Sequence, residues 1–350
     1  MSDVVTLAVI GLGWIGRRHA ELIRDAANCE LLAVCDQDVK HAAHGTSWGV
    51  PFYADMETLL DRESPDGVII ATPTESHAEV AKRCFQRGIH VLVEKPVAET
   101  VDDAVDVIQH AETAGAHVLV GHHRRHSSLV QTARDWIRND IGQLVGVSVL
   151  WATLKPADYF TVLWRRNRPG GGPTFINLIH EFDTLRFLCG DIEQVFAQGS
   201  SRIRKFEVED SLSINLRFRC GALGSVLASD TAAAPWSYEA TTQENPDYFH
   251  AEENCYHFLG TEGSFAFPRL EMWKFVDAAR MGWHDPMCQS RPDIRVDNPL
   301  ESQLKHFCRV VRGEELPLVS ALEGAKSLAL ACAVLNSIEQ GRPIDPREAF

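Results

Sequence analysis

The sequence predicts an α/β plus α+β protein. An N-terminal Rossmann-type doubly wound parallel sheet comes first, then a C-terminal domain with an open, mostly antiparallel sheet. Three observations predict this. Continuous apolar runs alternate with amphipathic stretches through the first third of the chain, as in parallel strands covered by helices on both faces. The triplet Gly11-Leu-Gly-Trp-Ile-Gly16 stands between the first apolar run and the first helix-like stretch. After about Gly121 the apolar runs follow one another with turns between them, as antiparallel strands do.

Taken in order, Val4–Ile10 reads as a strand, Arg17–Ala26 as a helix and Glu30–Cys35 as a second strand ending at Asp36. Helical segments follow near Lys40–Trp48 and over Asp55–Arg62, where Leu59 and Leu60 share one face. Gly67–Ala71, His90–Val93 and Ala116–Val120 read as buried strands, with helices at Ser76–Gln86 and Val101–Ala114. Beyond them, Gln143–Thr153 reads as a long strand, Trp164–Gly172 as a basic, glycine-rich loop, and Phe175–Cys189 as a helix. Strands are expected over Glu193–Gly199, Asp210–Arg219, Ala222–Ser229, Tyr256–Gly260 and Ser264–Phe267. Ala321–Gln340 is a final helix, stopped by Gly341 and Pro343. Residues 1–122 are thus expected to form a dinucleotide-binding domain. Residues 123–350 are expected to form a second, α+β domain, with helix 321–340 able to pack back on the first; the resemblance given below implies that this domain binds substrate and forms oligomer contacts.

The opening strand, turn, helix, second strand and acidic terminus together describe a dinucleotide site. Gly11 permits the sharp turn, Gly13 lets the backbone approach a pyrophosphate, and Gly16 lets the helix pack against the strand. The helix N-terminus offers N–H groups and a positive dipole end to the phosphates. Asp36 would accept from both ribose hydroxyls. A 2′-phosphate there would face Asp36 and Asp38, with no basic residue before Lys40, which favours NAD over NADP.

Composition narrows the function classes. The 350 residues suffice for two domains, and 45% hydrophobic with 23% charged residues is ordinary globular material. A net charge of −14, with no basic patch beyond Arg165-Arg166-Asn167-Arg168, argues against nucleic acid as a partner. No apolar stretch of about 18 residues is apparent, so no membrane span is expected. The N-terminus lacks the basic and apolar regions of a signal peptide. Nine scattered cysteines, with no Cys-x-x-Cys pair, fit reduced thiols in a cytoplasmic location.

Further residues could carry chemistry. Thr72-Pro-Thr74 with His77, and Glu94-Lys95-Pro96, sit at the carboxyl ends of parallel strands, where open α/β sheets bind ligands. Near a nicotinamide, Lys95 could exchange a proton with a substrate hydroxyl; a salt bridge to Glu94 or a surface charge accounts for it equally well. Gly170-Gly171-Gly172 precedes a helix on which Asn177, His180 and Asp183 recur every three residues and so share a face. Asp183 could then orient His180 for proton transfer; a helix histidine with a local acidic partner is the plainer alternative. His122, His123 and His126 cluster with Arg124 and Arg125. No Cys, Asp or Glu at ligand spacing accompanies them, so a polar substrate is expected there and no metal.

Together these motifs resemble the glucose–fructose oxidoreductase/inositol dehydrogenase (Gfo/Idh/MocA) family over essentially the whole chain. The resemblance rests on Gly11–Gly16, Ala71-Thr-Pro-Thr74 with His77, Glu94-Lys-Pro96, Gly121-His-His-Arg-Arg125, and Gly170-Gly-Gly172 leading to His180 and Asp183. It implies a Rossmann domain and a C-terminal sheet that forms oligomer interfaces, hence a homo-oligomer, dimer or tetramer. It further implies sugar, cyclitol or related polyol substrates, a catalytic lysine at Lys95, a catalytic histidine at His180, and a Lys–Pro peptide that is often cis. One position departs. Many inositol-dehydrogenase-like members carry Asp four residues before the catalytic histidine, and here Ile176 stands there, followed by Asn177. The proton relay is then left to Lys95 and His180, alone or with Asn177 binding substrate.

The resulting expectation is an NAD-dependent oxidoreductase acting on a secondary alcohol. Its cofactor set is Gly11, Gly13, Trp14, Ile15, Gly16, Asp36, Thr72, Pro73, Thr74, His77, Glu94 and Lys95. Its substrate contacts are Lys95, His123, Arg125, Trp151, Tyr159, Trp164, Arg165, Asn177 and His180. The aromatic residues among them are as well explained as core. Two alternatives stand beside it: an NAD-recycling glycoside-cleaving enzyme of the same family, and a non-enzymatic nucleotide-sensing regulator. Lys95 and His180 together argue against the regulator.

Overall fold

The structure, a computed structural model, describes residues 4–350. It comprises two compact units. The first runs from the N-terminal strand to His123 and includes Leu300–Leu328; the second comprises Arg124–Pro299 and Ala329–Ala349. The sequence boundary at 122/123 leaves the whole C-terminal third in the second domain, whereas compactness groups Leu300–Leu328 with the first unit.

In the first unit the elements run β1 (Val5–Ile10), α1 (Trp14–Asp25), β2 (Cys29–Cys35), α2 (Ala42–Trp48), β3 (Phe52–Tyr53), α3 (Met56–Glu63), β4 (Gly67–Ile70), α4 (His77–Phe85), β5 (His90–Val93), α5 (Val101–Ala114) and β6 (Val118–Val120). They form one parallel sheet in the order β3-β2-β1-β4-β5-β6. The strand order reverses between β1 and β4, and a ligand crevice forms outside the carboxyl ends of strands at such a point. The central strands are buried along their length: every residue of β4 and β6 is buried, and all but one residue each of β1 and β5. Caps fix the helix starts, Asp55 accepting from the Thr58 N–H at 2.8 Å and Thr100 from the Asp103 N–H at 3.1 Å.

The same unit draws in the segment after Pro299. The Phe307 ring lies 3.1 Å from where a Cβ on Gly67 would stand, the Val120 N–H donates to the Val319 carbonyl at 2.9 Å, and Gly324 packs on the Val120 side chain. The sequence reading missed the helix that carries Phe307.

The second unit holds α6 (Ser128–Asn139), β7 (Leu144–Ala152), a π-helical turn at Thr174–Leu178, α7 (Ile179–Cys189), β8 (Ile192–Ser200), β9 (Ser211–Phe218), β10 (Leu223–Ser229), α8 (Tyr238–Thr242), β11 (Tyr256–Gly260), β12 (Gly263–Phe267), β13 (Glu271–Phe275) and β14 (Met287–Ser290). Two helices close the chain, α9 (Pro299–Val311), which carries Phe307, and α10 (Ala321–Gln340). The eight-stranded sheet has the order β14-β13-β12-β11-β7-β10-β9-β8 and is antiparallel except for the β10–β7 pair. Along β9 and β10 buried residues alternate with exposed ones, so one face is core and the other faces out. One edge strand, β8, exchanges 2.9 Å backbone hydrogen bonds between Val195 and Ile344; the other, β14, is exposed at every residue.

Helix α10 is long and apolar enough, by length and composition, to cross a membrane, which corrects the reading that no such stretch exists. Most of it is buried inside the protein, as core helices are. In the second unit its Ser337 hydroxyl accepts from the Ala197 N–H at 3.0 Å and donates to the Arg342 carbonyl at 2.7 Å.

Helix α7 is buried at all eleven residues, so its charged side chains need partners. Arg124 donates to Glu181 at 2.7 Å and to Glu239 at 2.6 Å, and lies 3.9 Å above the Tyr238 ring. Two carboxylates thus share one guanidinium. Burial raises both, but Arg124, a backbone N–H and the Trp151 indole bring Glu239 below the ordinary carboxylate range. Burial, with Glu239 adding to it, pushes Glu181 up to about 7 against the pull of Arg124. Removing a member of such a buried set strands the others. Arg124→Met is expected to cost about 3–5 kcal/mol of stability; a thermal-unfolding midpoint at the wild-type value would contradict this account of the core.

Candidate active site

The first turn is built by close backbone approach. A Cβ on Gly16 would stand 1.8 Å from the Gly11 carbonyl oxygen, and one on Gly11, whose φ is +93°, would stand 2.5 Å from the Ala71 carbonyl group. Only hydrogen fits at either place. Gly13 differs: a Cβ there would meet nothing within 4 Å, so its face is open. Gly13 caps α1 without any side-chain hydrogen bond, and Trp14 is 60% exposed with Ile15 half-buried behind it. An open glycine at an uncapped helix start suits a pyrophosphate.

Asp36 ends β2 and holds this turn. It accepts from the Leu12 N–H at 2.6 Å and the Asp38 N–H at 2.8 Å, and His41 Nδ1 lies 3.1 Å away. Burial raises its pKa, but these hydrogen bonds outweigh burial and bring it below the ordinary range. The carboxylate is therefore ionised at neutral pH, with lone pairs left for ribose hydroxyls and a charge that repels a 2′-phosphate. The sequence shows the acid; its grip on Leu12 appears only in the fold. These features fit NAD.

Two later strand ends are tied together beside that turn. The Ala71 N–H donates to Ile10 and the Glu94 N–H to Ile70, extending the ladder past β4 and β5. His77 bridges them, with Nε2 2.9 Å from the Thr72 carbonyl oxygen and Nδ1 2.8 Å from that of Pro96. The Ser76 hydroxyl donates to Thr72 Oγ1 at 2.8 Å, within the Thr72-Pro73-Thr74 loop. Lys95, half-buried, stands two residues past β5, and the Lys95–Pro96 peptide is cis. Glu94 is buried and pairs with His19 of α1, Nε2 to Oε1 2.9 Å. Burial raises Glu94, but His19, Lys95 and His123 outweigh it and keep the carboxyl below its ordinary range. His19 has no sequence signal of its own, since its partner lies 75 residues away.

In the second unit Asn177, His180 and Asp183, expected on one face, are divided between two elements, Asn177 in the π turn and His180 with Asp183 on α7. Asn177 lies in the π turn, where the residues advance by less than the α-helical angle, so its spacing to His180 is not helical. Asn177 Oδ1 accepts from Lys155 at 2.6 Å. Asp183 accepts through both oxygens from Arg125, at 2.7 and 2.9 Å. Arg125, expected to touch substrate, is therefore a buried ion-pair partner, and so is its neighbour Arg124. His180 is 8% exposed on the first turn of α7, and His123 is half-buried.

The other expected substrate contacts gather around a residue that sequence reading missed. Lys155 Nζ lies 4.9 Å from the Tyr159 ring centroid and 6.0 Å from that of Trp151. The Arg165 guanidinium lies 4.1 Å from the Tyr159 centroid and 5.8 Å from that of Trp164, and donates to the Tyr159 carbonyl at 2.9 Å. Trp151 itself is core, 1% exposed, with its indole N–H donating to Glu239 at 3.3 Å. Gly171 permits the loop after Trp164: a Cβ there would stand 2.4 Å from the Trp164 and Asn167 carbonyl oxygens. Among the described residues, no three His, Cys, Asp or Glu converge as a metal-binding group.

A parallel six-stranded sheet with this glycine turn is a dinucleotide-binding Rossmann fold. Residues 5–122 match the model described as the oxidoreductase family with an NAD-binding Rossmann fold, and residues 130–266 match the GFO/IDH/MocA C-terminal domain. The chain belongs to the GFO/IDH/MocA family. It is 28% identical over 341 residues to 1,5-anhydro-D-fructose reductase of Ensifer adhaerens, covering 95% of this chain and 96% of that one. It is 26% identical over 357 residues to myo-inositol 2-dehydrogenase of Thermotoga maritima, covering 98% and 99%. In fold it is similar to the crystal structure of an oxidoreductase from Agrobacterium radiobacter in complex with NAD+, L-tartaric acid and magnesium, with a TM-score of 0.83, 20% identity and full coverage of both chains.

The two inner glycines separate folding from cofactor binding. Gly13→Ala, whose methyl enters open space, is expected to keep the thermal midpoint of the cofactor-free protein while raising the KM for NAD at least about tenfold, the loss of one or two charge-assisted hydrogen bonds. Gly16→Ala, whose methyl overlaps a backbone oxygen, is expected to lower the midpoint itself. Equal effects of the two substitutions on stability would sink this account of the turn.

Proposed function

We propose that this protein oxidises a secondary alcohol of a sugar, cyclitol or related polyol, with Lys95 as the base for the hydroxyl proton and His180 as its partner in proton transfer. NAD, when bound, supplies the hydride acceptor. The protein's part is to hold the cofactor on Gly11, Gly13, Gly16 and Asp36, to orient the alcohol, and to take its proton at Lys95 Nζ. The observation that carries this reading is the setting of Lys95. It stands two residues past the end of β5, between a buried carboxylate paired with His19 and a proline whose carbonyl oxygen lies against His77. The backbone around Lys95 is thereby anchored at two strand ends. The names of two full-length relatives, for anhydrofructose and myo-inositol, support a cyclic polyhydroxylated substrate.

Other partners follow from surface and composition. The outward face of the eight-stranded sheet carries Val145, Leu223, Leu227, Leu259 and Trp273, each at least 43% exposed. An apolar face of this kind supports a homo-oligomer, dimer or tetramer, through the sheet. The net charge of −14 argues against nucleic acid. Nine unpaired thiols, with Cys220 and Cys288 exposed, support a reducing, cytoplasmic setting.

Lys95→Ala is expected to lower kcat by about 100- to 10,000-fold for any polyol the wild type oxidises, the usual contribution of a positioned base. NADH formation in a polyol panel reads it directly. Turnover retained within about threefold would exclude Lys95 as the base.

A further inference from the structure

We propose that the substrate carries a carboxylate, and that Lys155 and Arg165, both packed on the Tyr159 ring, are the groups that select it. The inference rests on the polyol-oxidising reading above and narrows it to a sugar acid, aldonic or uronic.

The local charge is unbalanced. Asp230, 2% exposed at its side chain, is shared by Arg204 at 2.8 Å and by Lys155 at 3.6 Å. Arg165 has no carboxylate within ion-pairing distance among the described residues, and its Nε is buried without a hydrogen-bond partner. Two cations therefore share Asp230, and Arg165, over the same Tyr159 ring as Lys155, has no carboxylate of its own. The other carboxylate acting on Lys155, Glu239, is already held by Arg124 and Trp151. A buried guanidinium nitrogen with no acceptor is costly, and a ligand oxygen that accepts from it removes that cost. A neutral polyol leaves the cationic excess as it is; a carboxylate neutralises it through charge-assisted hydrogen bonds.

Position agrees with charge. The Lys155 ammonium donates to Asn177, which lies three residues before His180. Its side chain is 10% exposed. Burial, with Arg204 adding to it, lowers Lys155 to about 8, while Asp230 and Glu239 oppose the shift. The ammonium is thus charged at neutral pH, and its attraction for an anion fades as pH rises through about 8.

The test compares kcat/KM on matched probes with NAD present: D-gluconate against D-glucitol, and D-glucuronate against D-glucose, with D-glucose 6-phosphate as a third arm. The wild type is expected to favour each acid over its neutral counterpart by about tenfold to a hundredfold, chiefly through KM. Lys155→Met and, separately, Arg165→Gln are expected to collapse that ratio. Lys155→Arg keeps it, and the wild-type KM for the acids rises above about pH 8. An unchanged ratio in both Lys155→Met and Arg165→Gln, or a preference for neutral probes or for the phosphate, overturns the proposal. If no probe is turned over, the oxidation reading fails separately and thermal shift decides this one. A midpoint raised by the acids in the wild type and not in Lys155→Met sustains it, and no such difference overturns it.

Discussion

One buried carboxylate–imidazole hydrogen bond organises the cofactor-binding unit. Glu94, at the end of β5, accepts from His19 on α1, and neither side chain reaches solvent to any extent. The pair joins the helix whose uncapped start would receive the pyrophosphate to the residue that precedes Lys95. Moving α1 away from the sheet would strand the carboxylate, at the price of several kcal/mol. The glycine packing of Gly11 and Gly16 against Ala71 fixes the same helix one turn earlier. Cofactor position and lysine position are therefore set by one rigid assembly of strand ends rather than by separate loops.

The first half of that assembly is legible in the sequence because its signals are local. Buried parallel strands are continuous apolar runs, and the glycine spacing and Asp36 lie within one βαβ unit. His90–Val93 and Val101–Ala114 are read to the residue. The parts that escape are long-range or polar. Helix α6 buries only Leu129, Val130, Ala133 and Ile137 among its twelve residues, and α9 lies beyond a stretch with little pattern. Strands β13 and β14 are largely exposed and lack clean alternation.

The candidate site divides along the same line. Gly11, Gly13, Gly16, Asp36 and Lys95 announce themselves by motif. His19, Lys155, Asp230 and Glu239 do not, because each acquires its meaning from a partner brought up by folding. Arg125 was misjudged for a related reason. Its cluster of cations resembles a ligand surface in one dimension, but the buried helix α7 supplies Asp183, and the guanidinium is consumed inside the core. The helical spacing of Asn177 and His180 fails because a π turn intervenes, and widening of that kind recurs at functional sites.

The two borders of the eight-stranded sheet are unlike. At β8 the outer backbone is already engaged by Ile344, while β14 ends the sheet with four exposed residues. A strand edge left bare is a template for another extended chain. The sheet can therefore lengthen in one direction only, and a guest peptide adding there would lie beside Cys288, whose thiol is exposed. Oxidation at that sulfur would sit on the growing border.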